Sequence, residues 1–267
     1  SHAMASVAIV IVSYKCRAAL AQCLKGLPPW RTVLVDNGSN DGTTEMVSSK
    51  FPHVTIIENK SNRGFAAACN QGIAITTEPY VLLLNPDAIV SQEALERLLA
   101  AMTDGVGACG PLIRNEDGSV QTSVRRFPTL WRMALAELGL RGAYYVKNPN
   151  RDVEQLMGSC LLFRREFAPL DERFFLYFEE VDLCLRIKQA GWRVVFVPEA
   201  EIIHIGGQSS QHEPLASLRH RYRSLFEFYR KHYPRWQLPI LKFVVQVAAV
   251  LRSQQHYRTI AREVWSL

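Results

Sequence analysis

The chain opens on an unbroken apolar run, "VAIVIV" at 7–12. A run with no polar alternation is what a strand buried on both faces requires. Further runs follow at "TVLVD" (32–36), "VTIIE" (54–58) and "YVLLL" (80–84). Helices are predicted between them, near 18–24, near 44–50 and in the Ala-rich "FAAACNQGIAI" of 65–75. Another begins at about Ser91, with Leu95, Leu98, Leu99 and Met102 on one face. Strand and helix alternate four times, which predicts an α/β fold with a mostly parallel sheet and helices on both faces.

The second half is less regular. "RNEDGSV" contains a hairpin-like turn, and "MGSCLLFRRE" reads as a strand returning to the sheet. "DERFFLYFEEVDLCLRIKQAGW" starts aromatic and acidic, then becomes a helix ended by Gly191. "RVVFVP" and "EIIHIGG" are expected as two short strands, and from Glu213 the chain turns helical and basic. This predicts one domain over 6–233 and a C-terminal amphipathic helical extension over 234–267. In the extension, "LPILKFVVQVAAVLR" is too short to span a bilayer, which needs about 20 apolar residues. As a helix it sets Lys242, Gln246, Ser253 and His256 along a polar stripe beside a broad apolar face. That face has two readings: docking within the protein or on a second subunit, or attachment to an anionic membrane surface.

Composition adds limits. The opening "SHAMA" (1–5) reads as a cloning remnant, and the apolar run after it is too short, and lacks the basic lead, for a signal peptide. Six scattered cysteines form no C-x-x-C pair, so reduced, packing thiols in a cytoplasmic setting are expected. The net charge of +6 admits nucleic acid, anionic lipid or a phosphate-bearing ligand. No nucleic-acid motif accompanies it, and no nucleic-acid partner is expected.

In parallel sheets ligands gather beyond the carboxyl ends of the strands. Those loops carry Ser13 and Tyr14, Asp36 and Asn37, Asn62 and Arg63, then Asn85 and Asp87. A dinucleotide site would need glycines after the first strand, where the chain reads "SYKCRAAL". The alternative is a nucleotide-diphospho-sugar site, which needs a carboxylate for the base, a hard cation for the diphosphate and a base for the acceptor hydroxyl. Magnesium or manganese commonly takes one or two carboxylates plus phosphate oxygens. "NPDA" suits that task, and equally reads as a turn entering a helix.

"VDNGSNDGT", "NRGFAAACNQGI", "LLLNPDA", "FFLYFEEVDLCLRIKQAGW" and "HIGG" stand here in the order found in family-two glycosyltransferases. Over roughly 6–230 the chain resembles that family, and within it the bacterial rhamnosyltransferases of surface polysaccharide assembly. The resemblance implies a GT-A fold and inverting transfer from a nucleotide-sugar donor with Mg2+ or Mn2+. It further implies dTDP-rhamnose as first donor, with UDP-galactofuranose or UDP-hexose as alternatives. The implied acceptor is a growing glycan or one linked to polyprenyl diphosphate, with the enzyme cytoplasmic or peripheral on the inner membrane face.

By the same resemblance Asp87 holds the metal, and Asn85, where the usual D-x-D element has its first Asp, contacts ribose or water. Asp36 accepts from the nucleobase, Ser13 and Tyr14 line the nucleoside pocket, and Asn62 and Arg63 meet the nucleotide. His204 contacts metal or diphosphate. Glu180 takes the place of the catalytic base, one methylene longer than the family's usual aspartate, with Glu179 at the acceptor. Asp182 is a third acidic candidate, or else an i, i+4 partner of Arg186. A different class stays open: a non-catalytic sugar- or lipid-surface module on a decayed transferase fold, which would not release nucleoside diphosphate.

Overall fold

Val7–Ser13 (β1) is buried at every position, as its apolar run predicts. A computed structural model describes residues 6–206 and 213–267. The expected cloning remnant (1–5) and Gly207 of "HIGG" lie outside the described residues. Helices Arg17–Lys25 (α1), Thr43–Lys50 (α2) and Phe65–Ala74 (α3) link β1 to Arg31–Asp36 (β2), Thr55–Glu58 (β3) and Tyr80–Leu84 (β4). β1 pairs in parallel with β2 and β4, and β2 with β3.

After β4 come Ala88–Ile89 (β5), Gln92–Ala100 (α4) and Val106–Arg114 (β6). Short pieces follow: Val120–Gln121 (β7), Val124–Arg125 (β8), Leu130–Glu137 (α5), Tyr145–Val146 (β9), Asp152–Val153 (β10) and Gln155–Leu156 (β11). Cys160–Arg164 (β12), Glu179–Gln189 (α6) and Arg193–His204 (β13) complete the sheet layers. Pro214–His232 (α7), Gln237–Leu251 (α8) and Gln255–Glu263 (α9) form the C-terminal part. The large sheet runs β10-β13-β6-β12-β4-β1-β2-β3, and β11-β8-β9 make a small second one.

β12 is the returning strand expected from "MGSCLLFRRE". It runs antiparallel to both β4 and β6, so its start lies at the carboxyl end of β4. There the Asn85 N–H donates to Ser159 O at 2.9 Å. β6 gives little sequence signal, because Gly107, Gly110 and Pro111 interrupt it. Gly107 is required by packing: a Cβ there would stand 2.5 Å from the Ile187 side chain on α6. "RVVFVP" and "EIIH" were expected as two strands and form one. A register shift between Val197 and Glu201 takes Pro198, which has no N–H, off the ladder.

Strand alternation divides the core. Ile9, Ile11 and Leu82 face Leu20 of α1 and Leu95 and Leu98 of α4. Val10, Val12 and Leu83 face Cys69 of α3 and Leu183 and Ile187 of α6. A third core joins α5, α7, α8 and α9 through Met133, Tyr222, Phe226, Leu241, Val245 and Ile260, and takes in Phe174 and Phe178 just before α6. All six cysteines are free and buried.

The polar stripe expected on the extension faces inward, not outward. Lys242 is 7% exposed, with Nζ over the Phe226 ring. Gln246 donates to Ala261 O at 3.0 Å and accepts from Trp265 Nε1 at 3.0 Å. The helix also stops at Leu251, so Ser253 and His256 do not continue the stripe. Helix α9 supplies the polar partners on that side, which leaves Trp236, Ile240, Phe243, Val247, Val250 and Leu251 outward. No helix among the described residues is long and apolar enough to cross a membrane.

Candidate active site

The carboxyl ends of β1, β2 and β4 and the end of β13 border a cavity of about 1440 Å³. One drug-sized ligand fills about 300–1,000 Å³, so the space admits two substrates.

One corner is closed by β5. The Asn85–Pro86–Asp87 turn leads from β4 into β5, which pairs antiparallel with β13 so that Ala88 stands opposite His204. That register sets Asp87 Oδ1 3.1 Å from His204 Nε2. Asn85 Nδ2 is 3.4 Å from the same ring nitrogen. Asp87 Oδ2 accepts from the Gly206 N–H at 3.1 Å, while His204 Nδ1 lies 2.8 Å from Gln121 Oε1. The Gln121 amide is itself oriented, donating through Nε2 to Asn115 Oδ1.

With Nδ1–H donating to Gln121, a neutral ring turns its Nε2 lone pair toward a carboxylate oxygen. Two acceptors then face each other, and a cation or a proton must lie between them. Neighbouring ligands of an octahedral divalent ion stand about 3 Å apart, so Asp87 and His204 fit magnesium or manganese. Among the described residues no cluster of three or more His, Cys, Asp or Glu is placed to hold a metal. The remaining ligands would have to be donor phosphates and water.

The corner at the ends of β1 and β2 is built in two layers. Asp36 Oδ1 accepts from Ser13 Oγ at 2.7 Å and Ser39 Oγ at 2.5 Å, and Oδ2 from the Ser39 N–H at 2.9 Å. Ser13 and Asp36 are buried behind the wall, while Tyr14 and Asn37 line it. Asn37 Oδ1 accepts from Asn59 Nδ2 and the Arg63 N–H, and Asn37 Nδ2 donates to Gly64 O. Asn62 reaches the cavity; Arg63 is not among its lining residues. Gly64 has φ +87°, and a Cβ on it would meet Phe175 at 2.7 Å, so this loop tolerates no side chain there.

The acids of α6 form the opposite wall. The helix is entered through Tyr177 and Phe178 at φ 70° and 66°, a left-handed region that bulky residues avoid. This turn delivers Glu179 and Glu180 to the cavity in the first helical turn. Both are buried, and one oxygen of each, Oε2, has no hydrogen-bond partner among the described residues. Burial above all, then the Glu180 charge, raises the Glu179 carboxyl well above its ordinary range. Glu179 is therefore biased toward its neutral form beside Glu180 on this wall.

Asp182 lies elsewhere. It is fully buried and accepts from Lys231 Nζ at 2.6 Å and Arg186 Nε at 3.0 Å, with His232 Nε2 2.7 Å away. The i, i+4 pair with Arg186 is therefore present, and Asp182 is not among the cavity's lining residues. The structure thus brings Tyr14, Asn62, Asn85, Asp87, Glu179, Glu180 and His204 to one cavity. Ser13, Asp36, Arg63 and Asp182 stand outside its lining. Sequence reading missed Gln121, Arg125, Tyr145 and Ser159, which come from short irregular pieces without periodic signal, and Arg221, one of many basic residues on helix α7.

The model of the glycosyl transferase family 2 matches residues 8–169. An N-acetylglucosaminyl-diphospho-decaprenol L-rhamnosyltransferase of Mycobacterium tuberculosis is 32% identical, covering 95% of this chain and 94% of that protein. Rhamnosyltransferase WbbL of Escherichia coli is 29% identical over 57% of this chain and 61% of its own. Among solved structures, the mannosyltransferase PcManGT of Pyrobaculum calidifontis, in complex with GDP-Man and Mn2+, superposes with a TM-score of 0.60. At 17% identity, over 97% of this chain and 79% of that one, the likeness is one of fold, the expected GT-A architecture. The chain belongs to glycosyl transferase family 2 and is a glycosyltransferase.

Proposed function

We propose that this chain transfers a sugar, with inversion and with Mg2+ or Mn2+, from a nucleotide donor to a hydroxyl of a lipid-linked or growing surface glycan. Rhamnose from dTDP-rhamnose is the donor of first choice. The observation that carries the reading is one cavity holding the Asp87–His204 pair on one wall and the Glu179–Glu180 pair on another. The 32% identity to a rhamnosyltransferase named for a diphospho-decaprenol acceptor supports the choice of sugar and acceptor.

Glu180 takes the proton of the acceptor hydroxyl as its oxygen bonds to the anomeric carbon. The bond from that carbon to the phosphate oxygen breaks on the opposite face, and nucleoside diphosphate leaves. Glu179, its carboxyl raised by burial and by its neighbour's charge, lies beside Glu180 on the same wall. When bound between Asp87 and His204, a divalent ion supplies neutralisation of the leaving diphosphate. Asn85, Asn62 and Tyr14 are placed to contact the nucleotide, and Asp36 keeps the base-side wall in shape through Ser13 and Ser39.

The test is release of nucleoside diphosphate from dTDP-rhamnose, UDP-galactofuranose and UDP-hexoses, with manganese or EDTA and with a glycosyl-diphospho-lipid acceptor. Acceptor- and metal-dependent release is expected. Asp87→Ala should keep the fold, since a strand-end turn contributes little to the core, and lose metal-dependent binding of nucleoside diphosphate by calorimetry. Undiminished metal dependence in that variant would remove Asp87 from the site.

The setting follows from the outward face of α8. We place the enzyme in the cytoplasm, seated on the anionic inner face of the membrane through Trp236, Phe243, Val247, Val250 and Leu251. Two features favour a bilayer as occupant. Leu140 and Gln254 line the cavity, and exposed Leu138 and Leu251 stand close to them in the chain. Exposed Arg235 and Arg141 stand beside Trp236 and Leu140, cations suited to anionic headgroups.

A further inference from the structure

The outer half of the cavity has a second charged region that the donor and the base do not use. Arg125 on β8, Arg141 before β9 and Arg221 on α7 all line it. Two of them converge on one ring: the Arg141 guanidinium is 4.8 Å from the Tyr145 centroid and that of Arg125 is 5.9 Å from it. Arg125 Nε is buried and has no hydrogen-bond partner among the described residues. No ion pair closes on Arg125 or Arg141 among the described residues. Arg221 has only a 4.0 Å approach to Glu137, a carboxylate that Arg252 already holds at 3.1 Å.

Arg125 lies in the field of Glu180 and Arg221 in that of Glu137, but among the described residues no carboxylate forms a close ion pair with any of the three, so an added anion would be favoured there. The local field is positive. Burial acts to raise the Tyr145 phenol, yet Arg221, Arg125 and Arg141 together pull it below its ordinary value. The position separates this region from the donor corner. Asn85 is bonded to Ser159, and Gly158 beside it packs on Glu180, with 3.4 Å between a Cβ built there and Glu180 Cβ. Arg125 interacts with Glu180 and stands over the Tyr145 ring. The candidate base therefore neighbours both Gly158 and the arginines.

We propose that Arg125, Arg141 and Arg221 form a subsite for the diphosphate of a lipid-linked acceptor. Planar guanidinium forks suit phosphate oxygens and can bind them in pairs. The identity of that diphosphate rests on the glycosyl-transfer reading above. The subsite itself rests on three guanidinium groups that line one cavity without a close ion pair among the described residues, and on the unpartnered Arg125 Nε. An acceptor held there presents its sugar inward to Glu180 and directs its lipid outward, past Leu140.

The experiment is direct binding to the full chain in EDTA, where metal-dependent nucleotide binding is silent. Geranyl diphosphate is the probe, with geraniol and inorganic pyrophosphate as controls. Geranyl diphosphate is expected to bind at least about tenfold more tightly than geraniol, the scale of a charge-assisted hydrogen bond. Pyrophosphate binding alone would mark a general anion site and overturn the lipid-acceptor assignment. Arg141→Gln, at an exposed position, and Arg125→Gln should each weaken the probe by roughly tenfold or more. Arg125→Lys should restore part of it, which guards against a folding defect. Nucleoside diphosphate binding with manganese should stay within about twofold in these variants. Unchanged probe affinity in the Gln variants, or displacement of the probe by nucleoside diphosphate in EDTA, overturns the subsite. Probe binding as expected in a protein that transfers no sugar would support the subsite and count against the proposed reaction.

Discussion

Glu179 and Glu180 are adjacent in sequence and both line the cavity. Glu179 is a buried acid kept neutral, first by desolvation and then by its neighbour's charge. A neutral Glu179 can be replaced by an amide with small cost, whereas Glu180 has to accept a proton. Glu180→Gln is therefore expected to keep donor and metal affinity and to lower transfer at least about a hundredfold, as for loss of a general base. Glu179→Gln should turn over within about tenfold of the parent. Single-turnover rates with saturating donor distinguish the two, and the reverse pattern would move the base by one residue. The family resemblance of "NPDA", "FEEVD" and "HIGG" pointed to Asp87, Glu180 and His204, and the structure brings all three to one cavity. The arginines of the outer cavity were not legible. Arg125 and Arg141 stand in irregular stretches without periodicity and Arg221 is one of many basic residues on a helix, so only the folded cavity shows that they line one space.

At the level of elements, α6 is held at its base by an ion cluster. Burial opposes the ionisation of Asp182, but bonds from His232, Lys231 and Arg186 outweigh it and hold the carboxyl below its ordinary range. A depressed carboxyl stabilises the fold above its unfolded value near pH 4 and loses that contribution as pH falls through the lower folded value. Asp182→Asn removes the acceptor from Lys231 and His232, and breaking such a buried set costs about 3–5 kcal/mol. The expected readout is a lower denaturation midpoint at pH 7, with the gap to the parent narrowing below pH 4. A midpoint unchanged at neutral pH would make the cluster ornamental. The parallel half of the sheet was readable because β1, β2 and β4 are apolar throughout. β6 was hidden by Gly107, Gly110 and Pro111, residues that packing against α6 and β12 selects against the local strand signal. The polarity of α8 was unreadable for a different reason. Periodicity shows that a helix has two faces, and only the arrival of α9 decides which is covered.

On the scale of the molecule, the third core ties α7, α8 and α9 to Phe174 and Phe178, the residues that introduce α6. The C-terminal helices thus support the candidate base as well as carrying the outward apolar face. Val250 and Leu251, 64% and 75% exposed, should insert at a bilayer surface. The full chain is expected to float with anionic vesicles, and Phe243→Glu with Val247→Glu should stay in the aqueous fraction without loss of soluble-donor binding. Absence of the parent from the vesicle fraction would end the membrane assignment.

The pairing of β5 with β13 also sets an order in time. Asp87 and His204 meet only because a strand near the middle of the chain waits for one far downstream. A ribosome adds roughly 5–20 residues per second, so His204 is made roughly 6–23 seconds after Asp87. In that interval the nascent chain gains Glu180 but has not yet closed the Asp87–His204 corner. A polypeptide released before β13 is complete therefore cannot bring these two side chains together.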